Sequence, residues 1–401
     1  MSRIVLGVSG GIAAYKACEL LRLLTESGHD VTVVPTPAAL EFVGAATWAA
    51  LSGHPVRTQV WDDAHEVPHV RLGQTADLVV VAPATADLLA RAAHGRADDL
   101  LTNVLLTARR PVVFAPAMHT EMWLHAATQA NVASLRSRGA LVLEPAVGRL
   151  TGADSGPGRL PEPAEIFQVV RRVLARGADG LALDLSGRRV VVSAGGTREP
   201  MDPVRFLGNR SSGRQGYALA ATAVARGAEV TVVAANVTLP DPAGAKVVRV
   251  GAAEQLRAAV LEEAASADVV VMAAAVADFR PAVSSASKIK KSSGLPEPIA
   301  LVENPDVLAE LGRARKAGQV LVGFAAETDD PIEGGRAKLA AKGADFIVVN
   351  QVGDALGFES PDNAATILAA DGGEVVVPRG PKEQLADAVW DLVVNALRGP
   401  R

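Results

Sequence analysis

The chain has 401 residues, of which 49% are hydrophobic, 21% charged and 3% aromatic, with a formal net charge of −4. That length predicts two or three domains with a large core, and the balance excludes global disorder and a dedicated nucleic-acid binder. The single cysteine, Cys18, excludes an internal disulfide framework and a cysteine-based metal site. No apolar run approaches the roughly 20 residues that span a bilayer. The N-terminus enters a strand pattern with no signal-peptide features, so a soluble cytoplasmic protein is expected.

The first half alternates strand-like and helix-like runs. Ile4–Val8 is a β-branched run that breaks into Ser9-Gly10-Gly11. Such a turn lets backbone N–H groups approach an anion, and the dipole of a following helix favours the negative charge. In Ala13–Leu24 the apolar residues Ala14, Cys18, Leu21 and Leu24 fall three or four apart, which predicts a helix with Cys18 on its core face. Val31–Pro35, Leu78–Ala82, Val112–Ala115 and Leu141–Leu143 continue the strands. Short apolar strands separated by helices make parallel βαβ units. Arg176–Arg189, with Gly177, Gly180 and Gly187 and no strong periodicity, reads as a linker.

The alternation restarts at Val190–Ser193, which breaks into Ala194-Gly195-Gly196-Thr197, a second turn of the same phosphate-holding design. Two such cradles predict two active sites. Val230–Ala234, Val269–Ala273, Val320–Gly323 and Phe346–Val349 follow as strands. Ala365–Ala369 and Glu374–Val377 flank Asp371-Gly372-Gly373, spacing that suits a hairpin and hence a mixed second sheet. Ala76–Asp87 and Ala267–Asp278 echo each other as buried strands that run into small residues, leaving room for a flat ligand; convergent composition in an alanine-rich chain is the alternative. Arg280–Pro298, with Lys288-Ile289-Lys290-Lys291, is either a lid or binding loop or a solvated charge run. Lys338 and Lys342, four apart on a helical segment, point one way and either grip phosphates or form a solvated face.

Neither glycine turn reads G-x-G-x-x-G. The strands that follow end in Val34-Pro35-Thr36 and Val233-Ala234-Ala235-Asn236, without the acid that a dinucleotide ribose wants. A nicotinamide dehydrogenase is therefore disfavoured. Flavin mononucleotide or a nucleoside triphosphate fits better, and spacing alone does not choose between them.

The combination of motifs resembles a known family. Gly7–Lys16, Pro68-His69-Val70, Ala82–Asp87, Ala115–Trp123 and Gly156–Leu160 resemble the flavin-dependent cysteine decarboxylases. Ser193–Pro200, Asp202–Phe206, Asn209–Gly213, Ala274–Phe279, Lys288–Lys290 and Asn304–Val307 resemble the phosphopantothenate–cysteine ligases. Together they are similar, over nearly the whole chain, to the bacterial bifunctional coenzyme A biosynthesis family, a phosphopantothenoylcysteine decarboxylase fused to a phosphopantothenate–cysteine ligase.

The resemblance implies two Rossmann-like α/β domains. Residues 1–180 would be an FMN-dependent decarboxylase with a flavoprotein-type parallel sheet, and residues 187–401 a CTP-dependent ligase with a mixed sheet. In the first, Ser9, Gly10 and Gly11 would hold the flavin phosphate, and Thr36, Pro83, Ala84, Thr85 and Met118 would line the ribityl chain and ring. His69 matches the catalytic histidine, and His119 and Met122 lie in the substrate motif. Oxidising the cysteine side chain to a thioaldehyde provides the electron sink that decarboxylation needs, and the flavin takes and returns the hydride with no net redox change. Two departures stand out. His119 replaces the family's asparagine, and Thr151-Gly152-Ala153-Asp154 replaces the segment that carries an assisting cysteine. The donor of the last proton stays open between Asp154 and a bound water.

In the second half the resemblance implies that the phosphopantothenate carboxylate attacks the α-phosphorus of CTP, giving an acyl-cytidylate that the amine of cysteine opens. Lys288 would sit on the triphosphate, with Lys338 and Lys342 on its outer phosphates. Ala273, Ala274, Ala275, Asn304, Pro305, Asp306 and Val307 would contact the nucleotide, and Phe324 would either stack on the base or fill the core. Asp278 would accept from a ribose hydroxyl or help hold Mg²⁺. Asn209 would bind the 4′-phosphopantothenate or its acyl-cytidylate, with Ser211 or Ser212 capping a helix that begins near Arg214. Trimeric decarboxylase and dimeric ligase contacts would build a homo-oligomer, a dodecamer. The rivals are a flavin oxidoreductase or flavin prenyltransferase relative with an inactive second domain, and a non-catalytic regulatory protein.

Overall fold

Two sheets, each wound from parallel strands, account for the alternation of strands and helices along the chain. The computed structural model describes residues 1–59, 67–149, 155–289, 298–327, 331–351 and 362–399. They divide into two units, Met1–Ala182 and Leu183–Arg401.

The first unit runs β1 (Arg3–Val8), α1 (Ala14–Glu26), β2 (Asp30–Pro35), α2 (Ala45–Ser52), α3 (Pro68–Thr75), β3 (Leu78–Ala84), α4 (Ala86–Ala93), α5 (Leu100–Thr107), β4 (Val112–Pro116), α6 (Thr120–Leu124), α7 (Ala126–Ser137) and β5 (Leu141–Val142). A two-stranded ribbon, β6 (Ala146–Arg149) with β7 (Ser155–Arg159), precedes α8 (Pro163–Arg176). The sheet order is β2-β1-β3-β4-β5, all parallel. β3 is buried along its whole length, which is why its sequence is a continuous apolar run. The strand order reverses between β1 and β3, and doubly wound sheets open a crevice at the carboxyl ends of such a pair.

In α1 the buried face is Ala14, Ala17, Leu20, Leu21 and Leu24. Cys18 sits at the margin of that face, half-buried, rather than in the core as the spacing predicts. The 3.6-residue period places it one position off the stripe that Ala14, Ala17 and Leu21 define.

The second unit runs β8 (Arg189–Gly195), β9 (Arg198–Pro200), β10 (Phe206–Gly208), α9 (Arg214–Ala225), β11 (Glu229–Ala235), β12 (Ala245–Val250), α10 (Ala253–Ala264), β13 (Val269–Met272), β14 (Phe279–Pro281), β15 (Leu301–Glu303), α11 (Val307–Ala314), β16 (Val320–Glu327), α12 (Pro331–Lys342), β17 (Phe346–Gln351), β18 (Asp362–Ala369), β19 (Glu374–Pro381) and α13 (Lys382–Arg398). The main sheet has the order β12-β11-β8-β13-β16-β17-β18-β19. It is parallel from β12 to β17, then antiparallel through the β18–β19 hairpin, so the mixed sheet expected from Asp371-Gly372-Gly373 is present. Here the order reverses between β8 and β13. Alternate strand residues feed opposite cores: Val190 and Val192 pack with α9 and α13, and Val191 packs with α10 and α11.

Two features escape the sequence pattern. β12 (Ala-Lys-Val-Val-Arg-Val) is an edge strand interrupted by two charges, Lys246 and Arg249, and edge strands need no continuous apolar run. The segment expected as loop, Arg280–Pro298, starts within β14, which pairs with β15 just beyond its end; of this arm, residues 290–297 lie outside the described residues. A third point corrects an expectation. α9 does begin at Arg214, but neither Ser211 nor Ser212 caps it. The cap residue is Gly213, at φ +80°, with no side-chain capping bond. A Cβ there would lie 2.6 Å from Val237 Cγ2, so the chain enters the helix through a left-handed turn that only glycine fits.

α9 and α13 are joined by a buried charge. Arg226 is 1% exposed. It donates to both carboxylate oxygens of Asp184 at 2.8 and 2.6 Å, to Asp387 Oδ1 at 3.1 Å and to Asp391 Oδ1 at 2.9 Å. Removing one partner of such a cluster strands the others in low dielectric. Arg226→Met is expected to cost about 3–5 kcal/mol of second-unit stability, read from the midpoint of chemical denaturation. A shift under about 1 kcal/mol would show that the cluster is solvated rather than buried.

Candidate active sites

The first cavity, about 1030 Å³, lies at the carboxyl ends of β1, β2, β3 and β4, where the strand order reverses. Ser9, Gly10, Gly11, Thr36, Pro83, Thr85, Met118, His119 and Met122 all line it. Ala84 does not; it is fully buried in β3. The Ser9 hydroxyl is committed to the fold, donating to Pro83 O at 2.7 Å and accepting from Thr85 N at 2.9 Å. The part of the turn whose backbone lines the cavity without such a commitment is Gly10, Gly11 and the start of α1. A Cβ on Gly10 would lie 2.5 Å from Ala38 Cβ, so only glycine lets these two loops close on one another. Thr36 Oγ1 accepts from Ala39 N at 3.3 Å and fixes the β2 loop.

Sequence reasoning missed the charges around this cavity. Lys16 and Arg159 both line it, and both bind Glu162; the Lys16 Nζ–Glu162 distance is 3.0 Å. Burial works against ionising Glu162, but Lys16 and Arg159 hold its carboxyl below the usual range. Arg91 also lines the cavity and donates to Asp99 at 2.8 Å and to Asp98. Two of these residues lie within the motifs that carry the resemblance, Lys16 at the end of Gly7–Lys16 and Arg159 in the Gly-Pro-Gly-Arg segment, without a role assigned to either.

His69 is not brought to this cavity within its own chain. It lies in the first turn of α3, half-buried, with its carbonyl accepting from Thr107 Oγ1 at 2.8 Å. Its Nδ1 is buried and has no hydrogen-bond partner among the described residues. Thr151-Gly152-Ala153-Asp154 lies outside the described residues.

The second cavity, about 910 Å³, lies at the carboxyl ends of β13, β16 and β17. It gathers Asn209, Ser211 and Ser212, Ala273–Ala275, Asp278, Asn304–Val307, Phe324, Lys338 and Lys342. Residues from five separate elements and loops thus meet in one concave surface. Asn209 donates to Val276 O at 3.2 Å and Asn304 to Ala277 O at 2.8 Å, so two amides hold the Ala273–Asp278 loop from both sides in sequence. Asp306 caps α11 and pairs with Lys342 from the last turn of α12. Burial opposes ionisation of Asp306, yet the bond from Lys342 keeps its carboxyl below the usual range. Asp278 is a single exposed carboxylate, and the described residues contain no group of three His, Cys, Asp or Glu placed to hold a metal.

The second glycine turn does not work as the first does. Gly196 N donates to Ala235 O, Thr197 N to Ala275 O and Arg198 N to Gly251 O, so its N–H groups are consumed by neighbouring loops. Ser193 Oγ accepts from Ala274 N at 3.1 Å and Thr197 Oγ1 from Ala277 N at 2.9 Å. The turn is a scaffold for the Ala273–Asp278 loop, and the helix starts that line the cavity are those of α9, α11 and α13. Lys288 is exposed on the arm and is not part of the lining, and Lys290 lies outside the described residues. Gln215, Asn363 and Lys382 do line the cavity; no motif pointed to them.

Comparison with known proteins agrees with this two-unit organisation. Residues 1–175 match the family model described as Flavoprotein, and residues 185–397 match the DNA/pantothenate metabolism flavoprotein C-terminal domain. The coenzyme A biosynthesis bifunctional protein CoaBC of Mycolicibacterium smegmatis is 60% identical over 406 residues, covering 99% of this chain and 98% of that one. CoaBC of Mycobacterium tuberculosis is 59% identical, covering 99% of this chain and 97% of its own. CoaBC of Vibrio cholerae is 43% identical, covering 98% and 97%. Among solved structures, the C-terminal domain of a CoaBC protein aligns with 54% of this chain and 98% of its own at 35% identity, with a TM-score of 0.47.

The root of the arm is held by one carboxylate. Asp202 accepts from Val204 N at 2.8 Å, Arg205 N at 2.7 Å, Arg205 Nε at 2.9 Å and Ile289 N at 3.2 Å. The Arg205 guanidinium holds this carboxyl far below the usual range; burial opposes that, and the backbone N–H bonds add to it. A depressed folded-state pKa contributes stability that is present above the unfolded value, about 3.9, and is lost only as pH falls through the folded one. The protection factor of the Ile289 amide in hydrogen exchange is therefore expected to hold from pH 7 down to pH 4. In Asp202→Asn it is expected to fall about tenfold at neutral pH, since charge-assisted bonds are about twice as strong as neutral ones. Loss of protection in the unaltered protein near pH 4 would show that Asp202 titrates as an ordinary carboxylate.

Proposed function

Because the chain belongs to the family of bifunctional coenzyme A biosynthesis proteins, CoaBC, we propose that it joins cysteine to 4′-phosphopantothenate with CTP and then decarboxylates the product to 4′-phosphopantetheine. The observation that carries this reading is the pair of cavities, one in each unit, at the carboxyl ends of the parallel strands, in the chain order flavoprotein then ligase.

In the second unit CTP occupies the part of the cavity formed by Ala273–Ala275, Asn304–Val307 and Phe324, with its outer phosphates toward Lys338 and Lys342. The phosphopantothenate carboxylate attacks the α-phosphorus, and pyrophosphate leaves. The cysteine amine then attacks the acyl carbon, CMP leaves and the amide forms. Positioning and charge neutralisation do most of this work. Asn209, fixed through Val276 O, keeps an amide oxygen with which to orient the substrate. Lys288 reaches the triphosphate when the arm folds over the cavity. Mg²⁺ would come with the triphosphate as its counter-ion, with Asp278 beside it either as a single carboxylate ligand or accepting from a ribose hydroxyl.

The first unit fits FMN. The bare Gly10–Gly11 backbone at the start of α1 suits its phosphate, and the slot between the β1, β2 and β3 loops suits its ring. A bound flavin supplies the reversible hydride acceptor that makes the cysteinyl carboxylate labile. Met118, His119 and Met122 line the cavity, which supports a role for the His119 imidazole as donor to a substrate carboxylate. His69 lies outside the cavity of its own chain, which supports a site completed between subunits, with His69 entering from a neighbouring copy of a trimer. Pairing of the ligase units would extend the trimers to a dodecamer, and water-soluble substrates fit a cytoplasmic enzyme. Among the described residues no helix is long and apolar enough to cross a membrane.

The test is direct. Purified protein is incubated with phosphopantothenate and cysteine and either CTP or ATP, and pyrophosphate and carbon dioxide are followed. CTP is expected to support both products and ATP at least tenfold less; flavin turnover without pyrophosphate release would favour a flavin oxidoreductase instead. Lys288→Ala is expected to lower acyl-cytidylate formation about 100-fold with the flavin retained, as removal of a charge-stabilising group does. His69→Asn should abolish carbon dioxide release and spare pyrophosphate release; carbon dioxide at the unaltered rate removes His69 from the chemistry.

A further inference from the structure

Lys382 is the residue of the second unit whose placement folding explains least. It is 6% exposed, opens α13 directly after Pro381 and lines the second cavity. Three costs coincide there. Burial disfavours an ammonium group, a helix N-terminus carries partial positive charge, and the Arg214 guanidinium is nearby. Burial first and Arg214 second push the Lys382 ammonium below its usual range, with Asp362 and Glu383 pulling the other way. No hydrogen bond or ion pair forms at its Nζ among the described residues. The contrast with Arg226, buried in the same unit but bound by three aspartates, is plain.

The surroundings of Lys382 are ordered. Its carbonyl accepts from Gln215 Nε2 at 3.2 Å, and Gln215 Oε1 accepts from Asn363 Nδ2 at 3.0 Å. The first turns of α9 and α13 and the start of β18 are thus tied together, and all three line the cavity. Arg214 and Lys382, two helix N-termini and the Ser211–Gly213 loop therefore converge on one concave surface. The cations assigned to the nucleotide, Lys338 and Lys342, are separate residues on α12, and Lys342 is already tied to Asp306. One cavity thus offers two anion-binding groups of residues. A substrate pair consisting of a triphosphate and a phosphate monoester needs two.

We propose that Lys382 and Arg214, at the N-termini of α13 and α9, bind the terminal phosphate monoester of the pantothenate substrate, and that Lys382 selects the phosphorylated substrate over the unphosphorylated one. This rests on the ligase reading given above. The phosphate dianion provides the partner that the buried ammonium lacks, so binding energy is withheld from a substrate without it. Both residues position the substrate from the end remote from its reacting carboxylate.

The experiment compares Lys382→Met, Lys382→Arg and Arg214→Gln in the full-length enzyme, with phosphopantothenate or pantothenate, CTP and cysteine. Lys382→Met is expected to raise KM for phosphopantothenate about 100-fold, in line with the cost of truncating one partner of a buried charge pair. KM for CTP should stay within about twofold, and the kcat/KM preference for phosphopantothenate over pantothenate should fall by a similar factor of about 100. Lys382→Arg should restore most of that preference. Because methionine removes an unpaired buried charge, the ligand-free variant should melt no lower than the parent. Arg214 is exposed, so Arg214→Gln tests the subsite even if Lys382→Met misfolds; a KM rise of about tenfold for phosphopantothenate alone is expected. Unchanged preference in the folded variants, or a rise confined to CTP, overturns the proposal. If the parent enzyme releases no pyrophosphate from CTP, the ligase reading itself has failed. Calorimetric binding of phosphopantothenate against pantothenate then decides the subsite separately.

Discussion

A buried serine hydroxyl at the end of the first strand of each sheet spans the gap where the strand order reverses, and both cavities depend on it. Ser9 reaches from the end of β1 to Pro83 O near the end of β3 and to Thr85 N just after that strand. Ser193 reaches from β8 to Ala274 N beyond β13. At such a reversal the connections leave on opposite faces of the sheet, so the loops part and the crevice would widen without a link. A hydroxyl that accepts a backbone N–H sets the loop spacing and satisfies a polar group in a place where water is excluded. Its burial, 2% exposed for Ser9 and 0% for Ser193, makes these bonds costly to lose.

From that shared scaffold the two units diverge through the fate of a few backbone N–H groups. In the first, Gly10 and Gly11 close against the β2 loop and leave the start of α1 facing the cavity. In the second, Gly196, Thr197 and Arg198 donate their N–H groups to Ala235, Ala275 and Gly251, and the next helix start to line the cavity is that of α9, 18 residues later in the chain, at Arg214 rather than Gly196. A glycine turn is therefore an anion site only when its donors are not already spent. The second unit uses its turn to shape the Ala273–Asp278 loop, and gains in exchange a helix N-terminus that can be flanked by Arg214 and Lys382.

Charge placement separates residues that hold the fold from those that face ligands. Arg226, Asp202 and Glu162 are each bound by partners of opposite charge, and the shifts in the two carboxyls follow from those partners. Lys382 is buried with no hydrogen bond or ion pair at its ammonium among the described residues, although Asp362 and Glu383 attract it. Buried charges are retained when paired or when a ligand completes them. The same logic applies to the unpartnered Nδ1 of His69, a polar atom that lies buried yet unused within its own chain.

Much of the fold was legible in the sequence because parallel strands buried on both faces must be continuous apolar runs, and β1, β3, β8 and β13 are. The hairpin β18–β19 was equally readable, since Asp371-Gly372-Gly373 supplies turn chemistry between two alternating runs. Local composition also marked Ala273–Ala275 and Pro83–Thr85 as strand ends with room for a ligand, and the cavities lie there. Tertiary structure alone decided which donors remain available. It spent the N–H groups of the second glycine turn, committed the Ser9 hydroxyl, capped α9 with Gly213 instead of Ser211 or Ser212, and left Lys288 and His69 outside the cavity linings. It also brought Lys382 to the second cavity from 168 residues beyond Arg214, at positions 382 and 214. Periodicity reports which face of an element is buried, a property of neighbours in the chain. Whether a polar group is satisfied depends on partners far away in sequence, and only the packed structure supplies them.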